Sequence, residues 1–328
     1  MFNFNIEKKV ESNEFARDKL WDLIIIGGGP AGLNAGLYAK RKGLEVLIIA
    51  NEIGGQLHNT TAVDNYLGFK LITGKALSDQ FYNHLENLEV QFLTGKSVKK
   101  VEKFDYDFSL TLSDGKILTS KTILVSTGGS SRKLEVKGEN KYANKGVSYC
   151  TICDAPFFKD KHVIIAGGGN SAAEAVLDLV PWAKKITVVH RSNWRADQIL
   201  LDKLNKVDNL TIYLNTQILE ILGAEQMTGV KVLDKTDNSI KNIEADGLFI
   251  EIGTVPNSNL IKDLVKTNER LEVIVDEMQM TSLEGLFAAG DITAQPYKQI
   301  IISAAEGAKA ALAVNQYLNH NYKGDKKI

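Results

Sequence analysis

Two stretches of this chain repeat one pattern at an offset of 140 residues, and that repeat limits the fold more than any other feature. Residues 23–51 read LIIIGGGPAGLNAGLYAKRKGLEVLIIAN, and residues 163–191 read VIIAGGGNSAAEAVLDLVPWAKKITVVHR. Each is an apolar run, a glycine turn, an Ala- and Leu-rich helical stretch and a second apolar run. Gly27, Gly29 and Gly32 correspond to Gly167, Gly169 and Ala172. A lone Gly-x-Gly-x-x-Gly match is weak, but here the strand–turn–helix–strand context it requires is met twice. The first glycine makes a tight turn and the second admits a pyrophosphate to backbone N–H groups. The third, where Ala also serves, packs helix on strand, and the helix N-terminus faces the phosphate. The pattern predicts an α/β protein with two Rossmann-like nucleotide-binding domains, one for each of two dinucleotides.

The residue closing the second strand of such a unit reads the adenosine ribose: an acid suits a 2′-hydroxyl and basic groups a 2′-phosphate. The second copy ends VVHRSNWRAD, with Arg191 and Arg195 beside His190 and no acid. Two guanidiniums can pair bidentately with a phosphate, which argues for NADPH. The first copy ends IIANEIGGQL, with Ala50 in that position and Glu52 as the nearest ribose ligand. FAD fits this site better than NADPH. TILVSTGG (122–129) and GLFAAGDITAQPYKQIIISAAEGAKAAL (285–312) each join an apolar strand to a glycine turn. In the second, Asp291 follows Gly290, where a carboxylate could hold a ribityl hydroxyl and the next helix could present its N-terminus.

Composition narrows the alternatives. Lys plus Arg total 39 against 40 for Asp plus Glu, a net charge of −1 that gives no long-range pull toward nucleic acid or anionic lipid. The N-terminal MFNFNIEKKVESNEFARDKL has no apolar core and does not read as a signal peptide. No run approaches the roughly 18 apolar residues of a membrane span. A cytoplasmic protein is expected, binding neither nucleic acid nor membrane.

The chain has two cysteines, Cys150 and Cys153, followed at once by Asp154. In a reducing cytosol a Cys-x-x-Cys pair is chemistry before it is a staple, since so short a loop constrains little of the unfolded chain. The spacing lets both sulfurs meet in one turn, and a helix N-terminus would lower one thiol pKa. Inert buried cysteines and a zinc half-site are the competing readings. Zinc would need two more ligands, and His58, His84, His162, His190 and His320 show no pairing with the motif, so no metal is expected. A Cys–His hydrolase fits poorly between two nucleotide folds.

GGGPAG, GGQLHNTTAVDNY, YCTICDAPFF, GGGNSA, HRSNWRAD, IGTVPN and AAGDITAQPYKQIIISAAEGAKAA run in order over about residues 20–318. With them the chain resembles the low-molecular-weight thioredoxin reductases. It also resembles the C-terminal catalytic part of the alkyl hydroperoxide reductase flavoprotein subunit. The resemblance implies a discontinuous FAD domain (1–130 and 256–328) and an inserted NAD(P)H domain (131–255) carrying the dithiol. Crossings near Thr127–Ser131 and Gly253–Asn257 would act as hinges, about which the inserted domain rotates in this family.

The resemblance implies FAD contacts from Gly27, Gly29, Pro30, Ala31, Gly32, Glu52, Gly55, Gln56, Leu57, Asn65, Thr127, Gly128, Gly290, Asp291, Lys298, Gln299 and Ile300. It implies NADPH contacts from Gly167, Gly169, Asn170, Ser171, Ala172, His190, Arg191 and Arg195. Cys153 would face the flavin, Cys150 would attack the partner disulfide, and Asp154 would move protons on and off the dithiol. Electrons would pass from NADPH to FAD, to the Cys150–Cys153 disulfide, and on to a thioredoxin-like dithiol protein or a peroxiredoxin system. A homodimer is the family expectation.

Two departures bear on this. The family's His-Arg-Arg-x-x-x-Arg signature is here His190-Arg191-Ser192-Asn193-Trp194-Arg195, one residue shorter and lacking an arginine. The stretches ADQILLDKL and PYKQIIISAAEGAKAAL are closer to the hydroperoxide reductase flavoprotein, which favours NADH. About 20 residues precede the first strand, too few for that flavoprotein's thioredoxin-like modules, so the relay partner is expected to be a separate protein. NADH-dependent peroxiredoxin reduction and a flavin NAD(P)H oxidase are the alternatives; a ferredoxin donor or a non-catalytic nucleotide-binding protein is more remote. Tyr66, Phe157, Phe158 and Tyr297 are expected to pack in cores or to flank the isoalloxazine, with cores favoured, and Trp194 to lie in a surface turn, with stacking on adenine as the lesser alternative.

Overall fold

The computed structural model describes residues 19–60 and 63–323. Most of the N-terminal stretch inspected for a targeting signal lies outside them. Contacts divide the chain into two units: one holds 19–55, 78–128 and 256–323, the other 56–77 (less 61–62) and 129–255.

In the first unit the strands Gln91–Thr94, Val46–Ala50, Leu20–Ile26 and Ile117–Val125 lie side by side and parallel, and Leu286–Ala288 pairs parallel to Ile117–Val125. The antiparallel strands Asp107–Leu112 and Val98–Phe104 extend the other edge. Strands of a parallel sheet are covered on both faces and so read as unbroken apolar runs. Here side chains alternate between two cores: Leu23 and Ile25 join one with the helices, Ile24 and Ile26 the other with Phe108, Ile261 and Val273. Each such fully buried aliphatic side chain stabilises the fold by roughly 1.5–3 kcal/mol.

The second unit repeats the arrangement. Leu210–Tyr213, Lys185–Val189, His162–Ala166, Gly247–Ile250 and Val147–Ser148 form a parallel sheet in that order. Val163 and Ile165 face one core, Ile164 and Ala166 the other, which reproduces the alternation of the first copy. The antiparallel strands Thr216–Gly223, Met227–Asp234 and Ile240–Glu244 form a separate three-stranded sheet. Gly129–Ser131 and Thr254–Pro256 pair as a two-stranded ribbon where the chain enters and leaves this unit.

Helices Pro30–Arg41 and Asn170–Leu179 follow the two fingerprints. Ile300–His320 packs on the first of these, where Gly307 meets the Ala31 carbonyl with no room for a Cβ and Asn34 Nδ2 donates to Ala304 O at 2.6 Å. No helix among the described residues is long and apolar enough to cross a membrane.

Candidate functional site: two nucleotide fingerprints and a disulfide

The two fingerprints share equivalent backbone hydrogen bonds. Gly27 N donates to Ile49 O at 2.9 Å, and Gly167 N to Val189 O at 3.3 Å. Gly54 N donates to Gly28 O, and Arg195 N to Gly168 O, so the loop after the second strand is tied to the middle of each glycine turn. Gly29 and Gly169 are extended N-caps of the following helices, and a Cβ on either would meet nothing within 4 Å. That open space over a helix N-terminus, fronted by bare backbone, fits a pyrophosphate. Gly27 has φ +123°, a conformation glycine alone adopts readily, and Gly32 abuts the Gly27 carbonyl too closely for any side chain. In the second copy Ala172 Cβ fills that space, only 2.8 Å from where a Cβ on Gly167 would stand.

Around the first fingerprint, Pro30 occupies the first helical turn, Ala31 and Gly32 are buried, and Glu52 and Gly55 are exposed. Gly290 turns with φ +81° after the strand Leu286–Ala288, and its N–H donates to Glu306 Oε2 at 2.7 Å. Asp291 accepts from Ser303 Oγ at 3.0 Å, and burial raises its pKa. Lys298 Nζ donates to the carbonyls of Asp291 and Thr293 and pairs with Glu272 at 3.2 Å. Gln299 caps the helix that begins at Ile300, nine residues after Asp291. Thr127 Oγ1 donates to Asn257 O and Asn257 Nδ2 to Thr127 O, both at 2.8 Å, beside Gly128. In the second unit, Gln56 and Leu57 lie on the 3-10 turn Gly55–Asn59, where Gln56 Nε2 donates to Gly129 O and Leu57 is buried. Asn65 is exposed.

Around the second, Asn170 and Ser171 are exposed, and Asn170 exchanges hydrogen bonds with Asp197, fixing the Arg195 loop to the helix N-terminus. Arg191 and Arg195 are exposed, and His190 is buried against Gly168. Burial first, then Arg195 and Arg191, lower the His190 pKa, so its ring is neutral at neutral pH and shares a 3.0 Å hydrogen bond with Ser192 Oγ. Lys235, unmarked by any motif in the sequence, brings Nζ to Arg191 O at 3.4 Å.

Cys150 and Cys153 are joined as a disulfide, with Cα atoms 5.3 Å apart. Cys150 is the extended N-cap of the short helix Thr151–Asp154. Asp154 Oδ2 accepts from Ser148 Oγ at 2.6 Å, and that oxygen in turn accepts from Cys150 N at 3.1 Å. The carboxyl is thus linked through the Ser148 hydroxyl to the main-chain N–H of Cys150. Burial raises the Asp154 pKa, and the Ser148 bond opposes the rise.

Ser148 and Glu251 were not singled out from sequence. Glu251 Oε1 accepts from Thr151 Oγ1 at 2.6 Å and from Thr151 N at 3.3 Å. The one signal for it was a lone acid at the end of an apolar strand, in GLFIEIG.

Some aromatic expectations need correction. Phe157 and Tyr297 are exposed and lie outside the cores, Phe157 on the short 3-10 helix Ala155–Phe158 and Tyr297 in the irregular stretch before the helix Ile300–His320. Trp194 is half-buried against the second unit's core, drawn in by the loop that Arg195 N ties to Gly168. Phe158 does pack, edge-on to Phe249.

The family model for pyridine nucleotide-disulphide oxidoreductases matches residues 21–311. The F subunit of alkyl hydroperoxide reductase from Staphylococcus aureus (strain Mu50) is 38% identical over 312 residues, 95% of this chain. The chain spans 62% of the length of that relative. The crystal structure of thioredoxin reductase from Streptococcus pyogenes MGAS5005 aligns with a TM-score of 0.87 at 36% identity, covering 92% of this chain and 98% of that one. Thioredoxin reductase from Giardia duodenalis aligns with a TM-score of 0.86 at 30% identity, covering 92% and 99%. Two repeated dinucleotide turns, a closed Cys-x-x-Cys pair and these likenesses lead to one statement: the chain belongs to the pyridine nucleotide-disulphide oxidoreductase family.

Proposed function

We propose that the chain reduces the disulfide of a small thioredoxin-like protein at the expense of NADPH, with FAD bound at the first fingerprint. The observation that carries this reading is the Cys150–Cys153 disulfide on the same unit as the second fingerprint, with Asp154 linked to Cys150 through Ser148. When bound, FAD supplies two-electron chemistry between the nicotinamide and the disulfide. Gly27, Gly29 and Gly32 would leave room for its pyrophosphate, and Asp291 would hold a ribityl hydroxyl. At the second fingerprint Gly167, Gly169, Asn170, Ser171 and Ala172 would form the phosphate turn, and His190, Arg191 and Arg195 would take the 2′-phosphate. Once the pair is reduced, Cys150 as thiolate would attack the partner's disulfide, and Cys153 would resolve the mixed disulfide. Asp154 would take up the proton that a cysteine thiol loses on becoming a thiolate and return one to the thiol that leaves.

Peroxiredoxin reduction with NADH is the second reading. It is supported by the 38% identity to a component of alkyl hydroperoxide reductase and by the arginine missing from the basic signature. Coupled turnover with each nicotinamide, against a thioredoxin and a peroxiredoxin, decides between them. Cys150→Ser should abolish protein-disulfide reduction with either partner; turnover that survives the substitution removes the dithiol from the reaction.

A further inference from the structure

We infer that Glu251 is a positioning residue for the dithiol, a second carboxyl, independent of Asp154, that grips the turn between the two cysteines and sets the charge their sulfurs feel. The inference rests on the reading of Cys150–Cys153 as the exchanging pair.

Glu251 is the first residue beyond the strand Gly247–Ile250. Its N–H donates to Ala166 O at 2.8 Å, and its carbonyl stands against Gly167, where a Cβ would collide with it. The side chain then leaves the sheet and accepts both the hydroxyl and the N–H of Thr151 through Oε1. Thr151 is buried and follows Cys150 directly. One residue therefore touches the first glycine of the second nucleotide turn with its main chain and the dithiol turn with its side chain.

The charged groups acting on Glu251 from the neighbouring helix Asn170–Leu179 are Asp178 and Glu174, both acidic. Burial above all, with those two carboxylates, raises Glu251 to about 7, and the two Thr151 bonds pull it downward. Its charge consequently changes within the working range of a thiol. A carboxylate here opposes formation of a thiolate nearby, and a neutral carboxyl does not.

The test reads thiol reactivity in the full chain. The protein is reduced with dithiothreitol, freed of reductant under nitrogen, and its cysteines are alkylated with iodoacetamide from about pH 5 to about pH 9. Glu251→Gln should match the native chain below about pH 6, where both side chains are neutral. Between about pH 7 and the thiol's own pKa it should react up to about threefold faster, the effect of a half-unit fall in that pKa. Thr151→Val removes a bond that favours the carboxylate and should move the native break to higher pH, and Thr151→Ser should restore it.

Superposed curves at every pH, or a constant offset without a break, overturn the inference. If Glu251→Gln does not fold, the Thr151 pair decides alone: no displacement in Val, or no return in Ser, overturns it. Failure of the parent reading is distinct, because it shows as protein-disulfide turnover in Cys150→Ser, whatever the alkylation curves do.

Discussion

Gly32 lies against the carbonyl oxygen of Gly27 with no space for a methyl group between them. The helix Pro30–Arg41 comes this close to the end of the strand Leu20–Ile26 because neither residue carries a side chain. Gly32→Ala should force the helix off the strand, destabilise the first unit by about 1–3 kcal/mol and strip flavin from the purified protein. The mirror change, Ala172→Gly, should cost only about 1–2 kcal/mol, through a lost methyl and a more flexible helix backbone. Denaturant unfolding and flavin absorbance measure both. A Gly32→Ala protein that stays yellow and equally stable contradicts the packing argument.

The Glu251 carboxyl should also tilt stability against pH. Its folded value, about 7, lies above the ordinary 4.5. Between those two pH values the folded chain holds a proton that the unfolded chain has released, so stability falls as pH rises through this window. Above about 7 the loss is complete. The gap between 4.5 and about 7 corresponds to a swing of roughly 3 kcal/mol. Glu251→Gln should flatten that slope in thermal melts, and parallel slopes for the two proteins would count against it.

That slope turns on a residue the sequence scarcely marked, and the reason is physical. Gly27, Gly29 and Gly32 were legible because a turn, a phosphate approach and a helix contact each need glycine locally. The alternation of Leu23–Ile26 between two cores was legible as an unbroken apolar run flanked by helices. Ser148 stands only two residues before Cys150, where a serine is ordinary until its bonds are known, but Glu251 meets the dithiol turn only because Val147–Ser148 pairs in parallel with Gly247–Ile250. A register between strands 100 residues apart leaves no trace in either segment. Gly307 against Ala31 is hidden for the same reason: a small residue in an Ala-rich helix is ordinary until its partner is known.

Arg191 and Arg195 should govern the choice of nicotinamide. The loop that carries them is fixed at Gly168 through Arg195 N and at Asp197 through Asn170, and both arginines are exposed on it. Losing one charge-assisted bond to a 2′-phosphate is worth about 1.4 kcal/mol, or roughly tenfold in affinity. Arg191→Ala should weaken NADPH by that factor and leave NADH within about twofold. Lys235→Ala should act in the same direction and less strongly. Steady-state titrations with both nucleotides provide the check, and an unchanged NADPH-to-NADH ratio in Arg191→Ala removes that arginine from the phosphate site.

Ser148 should tune the acid of the dithiol. Its hydroxyl donates to Asp154 and accepts from Cys150 N, and its bond is what holds the Asp154 pKa down against burial. Ser148→Ala removes the bond and leaves the burial, so Asp154 keeps its proton to higher pH. In single turnovers of the prereduced chain with a disulfide substrate, the limb governed by Asp154 should move toward alkaline pH. Asp154→Asn should erase that limb. The two substitutions must therefore differ in kind, one displacing the profile and the other deleting part of it. A Ser148→Ala profile that superposes on the native one would mean that the Ser148 bond does not set the titration of Asp154.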